Sequence, residues 1–314
     1  MKHRDVSRTE LTPLSFLERS AYVFPDKMAV VHGNRRYSYR QLEERVNRQA
    51  SALRKAGLKK GDRVAFMCPN IPPMLEAHYG VPLAGGVLVA INIRLSSDEI
   101  GYILKHSGSK FLFVDAEFEP VVKPLDLSAL KVIRVDDTGA AGDPYEDFLA
   151  TGAPGAVEPV IDDEEETISI NYTSGTTGRP KGVMYAHRGA WINAMGEIVE
   201  TGMSFDTKYL WTLPMFHCNG WCFTWAVTAV AGTHVCLRRV ESARIWELLE
   251  SEGITHYNGA PTVQIGVVND PKAHRLSRQV TVTVAGAPPS PTLLGKLKEL
   301  NFRPVHVYGL TETY

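Results

Sequence analysis

The sequence predicts an α/β protein with stacked, mostly parallel β-sheets flanked by helices. Short β-rich runs alternate with helix-length segments along most of the chain, the order that parallel strands with crossover helices require. Of 314 residues, 44% are hydrophobic and 22% charged, a globular balance too apolar for disorder. No internal repeat and no low-complexity tract interrupts the alternation. The length exceeds what one compact core usually needs, so one large domain or two smaller ones is expected.

In chain order, Gln41 to Ala56 carries a surface-helix pattern closed by Gly57, and Arg63 to Met67 is a buried strand. Val87 to Ile91 is a second apolar run. Ser96 with Glu99 three residues on forms a capping-box pattern that opens a helix to about His106. Phe111 to Val114 and Val132 to Val135 are further strands. From Thr138 to Glu166 the composition turns to Gly, Pro, Ala and acid, ending in DDEEE. This predicts a solvated linker and an approximate division into a first α/β subdomain with linker, 1–165, and a second, 166–314.

Beyond the linker, Thr167 to Tyr172 is strand-like, His187 to Gly202 helical and Tyr209 to Thr212 strand-like. A helix follows within Trp221 to Ala231, a strand at His234 to Leu237 and a helix at Ser242 to Ser251. Thr255 to Tyr257, Val280 to Val284 and Val305 to Tyr308 complete the strands, separated by helices near 262–269 and 291–300.

Lys plus Arg (34) nearly cancels Asp plus Glu (35), giving a formal net charge of -1 and a pI near 6.8. Phosphate neutralisation on nucleic acid needs a basic surface, so no nucleic-acid partner is expected. Four cysteines make no disulfide framework, and the charged N-terminus lacks a secretory apolar core. Tyr209 to Leu237 contains no Asp, Glu, Lys or Arg, but Pro214, His217, Asn219, Gly220 and Gly232 break it. It reads as buried core or a ligand tunnel rather than a membrane span. A cytoplasmic protein is expected.

The strongest local signal is YTSGTTGRPKGV, Tyr172 to Val183. Thr173, Ser174, Thr176 and Thr177 supply hydroxyls, Gly175 and Gly178 permit close backbone approach, and Lys181 adds a cation. Amides, hydroxyls and one ammonium suit a polyphosphate, although the spacing is not that of a Walker A loop. A bare Ser/Thr/Gly loop alone would read as a turn; the preceding strand and the following lysine favour a site. His217, Cys218, Cys222, His234 and Cys236 lie close in sequence, but no CxxC spacing occurs and the surroundings are apolar, so buried cysteines are favoured over zinc. No GxSxG elbow is present.

YTSGTTGRPKGV resembles the phosphate-loop signature of the adenylate-forming, AMP-binding superfamily, which includes acyl-CoA synthetases, firefly-type luciferases and peptide-synthetase adenylation domains. PMFHCNGW at Pro214 to Trp221 and VYGLTET at Val307 to Thr313 match two further family motifs in the expected order. Residues 24–70 are also similar to the family's N-terminal region, so the resemblance covers nearly the whole chain. PMFHCNGW is most similar to fatty-acyl and related short- to medium-chain acyl-CoA synthetases.

The resemblance implies ATP-dependent conversion of a carboxylic acid to an acyl-adenylate, then thioester formation with coenzyme A. It implies that Thr173 to Lys181 wrap the phosphates, with Thr173 and Glu312 as magnesium ligands and Thr311 against the α-phosphate. Tyr308 would stack on adenine, Gly309 would allow close approach, and Gly286 and Ala287 would line the adenine and acyl pocket. Pro288 and Pro289 depart from the family pattern, and AGAPPS also reads as a plain strand-to-helix turn. His217 would sit where the carboxylate meets the α-phosphate, and Trp221 would line the acyl tunnel; by itself the histidine reads more often as a satisfied core residue, and the indole equally as core packing. Glu312, likewise, is by itself an exposed carboxylate.

By the same resemblance, the chain is the incomplete large N-terminal domain, without the β-barrel subdomain and C-terminal lid. The lid carries the lysine used in adenylation, so these residues alone are expected to be inactive or nearly so. Two alternatives remain: an adenylating enzyme with a non-CoA acceptor, and a non-catalytic nucleotide-binding remnant. Acyl chain length and oligomeric state are not legible.

Overall fold

The computed structural model describes residues 7–173 and 178–313. Thirteen strands form two sheets. In chain order they are β1 (Met28–His32), β2 (Arg35–Ser38), β3 (Arg63–Met67), β4 (Val87–Ala90), β5 (Ser109–Asp115), β6 (Lys131–Val135) and β7 (Thr167–Thr173). Then follow β8 (Lys181–Ala186), β9 (Lys208–Trp211), β10 (Thr233–Cys236), β11 (His256–Asn258), β12 (Val280–Val284) and β13 (Phe302–His306). One sheet runs β6-β5-β3-β4-β7-β8, the other β13-β12-β11-β9-β10-β1-β2. Among the described residues only the edge pairs β7–β8 and β1–β2 are antiparallel; the other pairings are parallel.

Strand side chains alternate faces, and the apolar clusters follow that alternation. Val64 and Phe66 of β3, with Tyr209 and Trp211 of β9, enter one large core between the sheets. Ala65 and Met67 face the outer helix Ser97–Ser107, while Leu210 faces the outer helix Ser242–Ser251. The middle layer is helical: Leu14–Val23, Tyr39–Lys55, Pro72–Leu83 and Phe223–Ala229 all contribute to the inner core. Helix, sheet, helix, sheet and helix thus stack in turn, so both sheets are covered on both faces, as buried parallel strands require.

The capping box at Ser96 is present in both directions and opens the helix Ser97–Ser107, which Gly108 closes at φ 61°. A second box joins Ser38 and Gln41 and starts the Tyr39–Lys55 helix before the expected Gln41. Pro72–Leu83, which the sequence reading missed, is buried on nearly every side and shows no amphipathic period. The helix Leu14–Val23 and strands β1, β2 and β8 were also not foreseen.

Three features differ from expectation. The stretch 138–166 is not an open linker, because it holds the helix Pro144–Ala150, capped by Asp143, which accepts from the Tyr145 amide at 3.0 Å. Tyr145 is fully buried and donates to Glu76 Oε2 at 2.6 Å, while Arg45 Nε donates to Glu76 Oε1 at 2.6 Å. Nor do the sheets divide near residue 165. β1 and β2 join the sheet of β9–β13, and β7 and β8 join that of β3–β6. Parallel pairing is set by which apolar faces share a core, and one core here draws on both halves. The last strand is Phe302–His306 rather than Val305–Tyr308, which frees Val307 to leave the sheet and line a cleft.

Candidate active site

A cleft of about 790 Å³ opens where the two sheets meet. Its walls are the C-terminal ends of parallel strands and the loops leaving them: Asn92 and Leu95 beyond β4, Thr173 of β7, and Leu213 and His217 beyond β9. Asn258 and Ala260 at β11, Gly286 beyond β12, and Val307 with Gly309 to Glu312 beyond β13 complete them. Ligands of open α/β sheets gather at these ends because the connections there are free to vary. Thr173, Lys181, His217, Trp221, Gly286, Gly309, Thr311 and Glu312 all reach the cleft, though they span the sequence from 173 to 312.

The described parts of YTSGTTGRPKGV are the facing ends of the antiparallel strands β7 and β8. Thr173 ends β7 and lies directly opposite Lys181, the first residue of β8, so hydroxyl-bearing and ammonium-bearing residues share one register position. Lys181 is exposed, and among the described residues no carboxylate pairs with it. Ser174, Gly175, Thr176 and Thr177 lie outside the described residues. Gly178 has φ 108° with open space around it, so a side chain there would be opposed by backbone geometry rather than crowding. This strand pair is tied to the helix Ser97–Ser107: the Tyr172 hydroxyl and His106 Nδ1 share a 2.8 Å hydrogen bond, and Arg179 lies 5.3 Å over the Tyr102 ring.

PMFHCNGW forms a left-handed turn. Cys218, Asn219, Gly220, Trp221 and Cys222 have φ of 50°, 54°, 60°, 52° and 62°. Each non-glycine residue so placed costs roughly 1–2 kcal/mol, least for Asn, so neighbours must hold the turn. Asn219 Oδ1 accepts from Ser169 Oγ and from Asn171 Nδ2, both at 2.7 Å, which fastens the turn to β7. Ahead of it, buried Asn70 donates to the carbonyls of Trp211 and Leu213 at 2.8 and 3.0 Å and accepts from the Met215 amide at 2.8 Å. His217 is thereby presented to the cleft with its surface accessible. The surrounding protein, and secondarily the charge of Arg94, hold its imidazole below the usual value, so at neutral pH it is an uncharged hydrogen-bonding group.

The segment after β13 closes the other wall. Tyr185 of β8 donates its hydroxyl to the Thr311 carbonyl at 2.8 Å, and Thr311 Oγ1 lies 3.3 Å from Cys218 Sγ. Gly309 is needed for a reason other than nucleotide approach: a Cβ there would fall 2.2 Å from the Trp221 ring. Trp221 in turn donates its indole N–H to Glu197 Oε1 at 2.8 Å. Tyr308 is 83% exposed and is not on the cleft wall, although Val307 and Gly309 are. Ala287 is exposed and also off the wall, next to Gly286 at φ 86°.

Glu312 is exposed and has no cation partner among the described residues, and it shares the cleft with Thr173. A carboxylate and a hydroxyl on one cleft are hard-oxygen donors, so these two residues would suit magnesium. The clustered His and Cys residues do not fit zinc. His234 is committed to Trp211 Nε1 at 3.2 Å and Thr228 Oγ1 at 2.9 Å, and among the described residues no three His, Cys, Asp or Glu converge. The sequence reading missed Asn70, Asn92, Asn258 and Glu197. Position at or just beyond the end of a parallel strand was a usable signal for the middle two, and one acid within the apolar 190–198 stretch for Glu197.

Residues 17–314 match the profile of the AMP-binding enzyme family. The peroxisomal acetate/butyrate–CoA ligase of Arabidopsis thaliana is 42% identical, across 98% of this chain and 58% of its own length. The 4-hydroxybutyrate–CoA ligase 2 of Metallosphaera sedula is 43% identical, across 97% of this chain and 58% of its own. The chain thus spans less than two thirds of these relatives. Among solved structures, the inhibitor-bound N-terminal domain of FACL13 from Mycobacterium tuberculosis superposes with a TM-score of 0.87 at 27% identity, covering 97% of this chain and 77% of that one. With its motifs gathered on one cleft and its profile matched almost end to end, the chain belongs to the AMP-binding enzyme family.

Proposed function

We propose that this cleft activates a carboxylic acid at the expense of ATP, in a protein that then passes the acyl group to coenzyme A. The observation that carries the reading is the convergence of Thr173, Lys181, His217, Thr311 and Glu312 on one cleft. A carboxylate oxygen attacks the α-phosphorus, the bond to the bridging oxygen breaks, and pyrophosphate leaves. Thiol attack on the acyl carbon then forms the thioester and releases AMP. Lys181 and the Thr173 end of β7 bind the triphosphate, and Thr311 donates toward the α-phosphate. His217, being uncharged, orients the carboxylate by a hydrogen bond without pairing with it and lowering its nucleophilicity. Thr173 and Glu312 would hold magnesium, which spreads the phosphate charge when bound.

The apolar walls at Leu95, Ile103, Leu213 and Trp221 suit a short to medium acyl chain, in line with the acetate, butyrate and 4-hydroxybutyrate named for the relatives. This reading places the protein in fatty acid and lipid metabolism. We place it in the cytoplasm; the plant relative's peroxisomal location is the alternative that fractionation would distinguish. Among the described residues no helix is long and apolar enough to cross a membrane.

Calorimetric titration with a non-hydrolysable ATP analogue and with a non-hydrolysable butyryl-adenylate analogue tests the reading. Micromolar binding of both, with Lys181→Ala weakening the ATP analogue at least tenfold at unchanged melting, supports it. No binding of either analogue, or equal binding of the ATP analogue by the variant, overturns it.

A further inference from the structure

Trp221 contributes cleft wall from a strained position, and three contacts decide where its indole lies. Its own φ is 52°, Gly309 lies so close that a Cβ would overlap the ring, and its N–H is held by Glu197 at 2.8 Å. Glu197 is 93% buried by its 7% exposure, and its second oxygen, Oε2, has no hydrogen-bond partner. One turn earlier on the same helix face, Asn193 leaves a buried Nδ2 unpaired. The two unused groups are complementary in type, acceptor and donor.

We propose that Glu197 sets the depth of the acid pocket by holding the Trp221 indole on the cleft wall, so that the chain length admitted depends on this carboxyl and on whether it carries a proton. The inference rests on the proposed acid-activating function. An ionised acceptor holds an N–H more strongly than a neutral one, so deprotonation tightens the wall and protonation loosens it. The groups around the carboxyl do not lock it in one state. Glu200 on its own helix and Tyr209 on β9 interact with it, His256 on β11 bonds the Thr201 carbonyl at the helix end, and among the described residues no cation pairs with it. Burial, opposed by the Trp221 hydrogen bond and aided by Glu200, pushes its pKa up to about 7, so it changes state in the ordinary working range.

The test is the affinity of wild type, Glu197→Ala and Glu197→Gln for sulfamoyl-adenosine analogues bearing acetyl, butyryl, octanoyl and dodecanoyl chains, at pH 6 and pH 8.5. Wild type should favour octanoyl over butyryl several-fold more at pH 6 than at pH 8.5. Glu197→Ala should raise the octanoyl-to-butyryl ratio at least tenfold at pH 8.5. Glu197→Gln keeps an acceptor for the indole, so its ranking should stay near wild type but become flat with pH. A folded Glu197→Ala with the wild-type ranking overturns the inference, as does Glu197→Gln with the wild-type pH response; the second arm stands if the alanine variant does not fold. Absence of all analogue binding by wild type overturns the proposed function and this inference with it.

Discussion

Replacing Glu197 by glutamine should make the protein more stable at alkaline pH, by an amount that grows through a defined window. The carboxyl is buried beside Glu200, among the described residues only the Trp221 N–H bonds to it, and its pKa is raised from 4.5 to about 7. The folded state therefore binds this proton more tightly than the unfolded state does. Stability from this group is fully present below about pH 4.5 and is lost as pH rises toward 7. At 1.36 kcal/mol per pKa unit, the loss is ~3 kcal/mol. Glutamine keeps the shape and the acceptor but does not ionise, so the stability difference between variant and wild type should rise by ~2.5 kcal/mol from pH 5 to pH 8. In melting temperature that is a relative gain of about 5 °C over that range for a chain of this size. Urea unfolding of both proteins at pH 5, 6, 7 and 8 measures it directly. Curves that stay parallel across that range would refute the reasoning and show that water or another group solvates the carboxylate.

Three further outcomes follow from the same geometry. Gly309→Ala meets no backbone conflict but puts a Cβ 2.2 Å from the Trp221 ring, so the indole must move; butyryl-adenylate analogue affinity should fall at least tenfold while the melting curve barely shifts. Asn219→Ala removes the partner of Ser169 and Asn171 and leaves a less tolerant residue at φ 54°, so unfolding free energy should drop by roughly 2–4 kcal/mol, with Asn219→Gly recovering part of it. Arg45→Met strands Glu76, which is fully buried, and should cost about 3–5 kcal/mol in urea unfolding, whereas an exposed pair such as Arg40–Asp26 should give under about 1 kcal/mol on removal.

Legibility in the sequence tracked how local the cause was. The Ser96–Glu99 box and the Ser242–Ser251 helix were readable because caps and amphipathic stripes act within a few residues. Pro72–Leu83 was not, because a helix buried all round carries no stripe, and only its neighbours make it a helix. The Pro144–Ala150 helix hid in a stretch rich in Gly, Pro and acid, and what holds it is Tyr145 reaching Glu76, a partner far away in the chain. The candidate site divides in the same way. Its residues Thr173, Lys181, His217, Thr311 and Glu312 were marked by three motifs, while Asn70 and Glu197, which support the turn and its indole, belong to no motif.

The sequence by itself determined the α/β class, most strand positions and the family, because periodicity and short motifs are properties of neighbouring residues. Only the tertiary structure decided that β1 and β2 complete the sheet of β9–β13, that Gly309 makes room for Trp221, and that Glu197 is buried with one donor among the described residues. Sheet order, close packing and desolvation depend on which distant segments share a core, and that sharing is settled when both sheets bury their inner faces together.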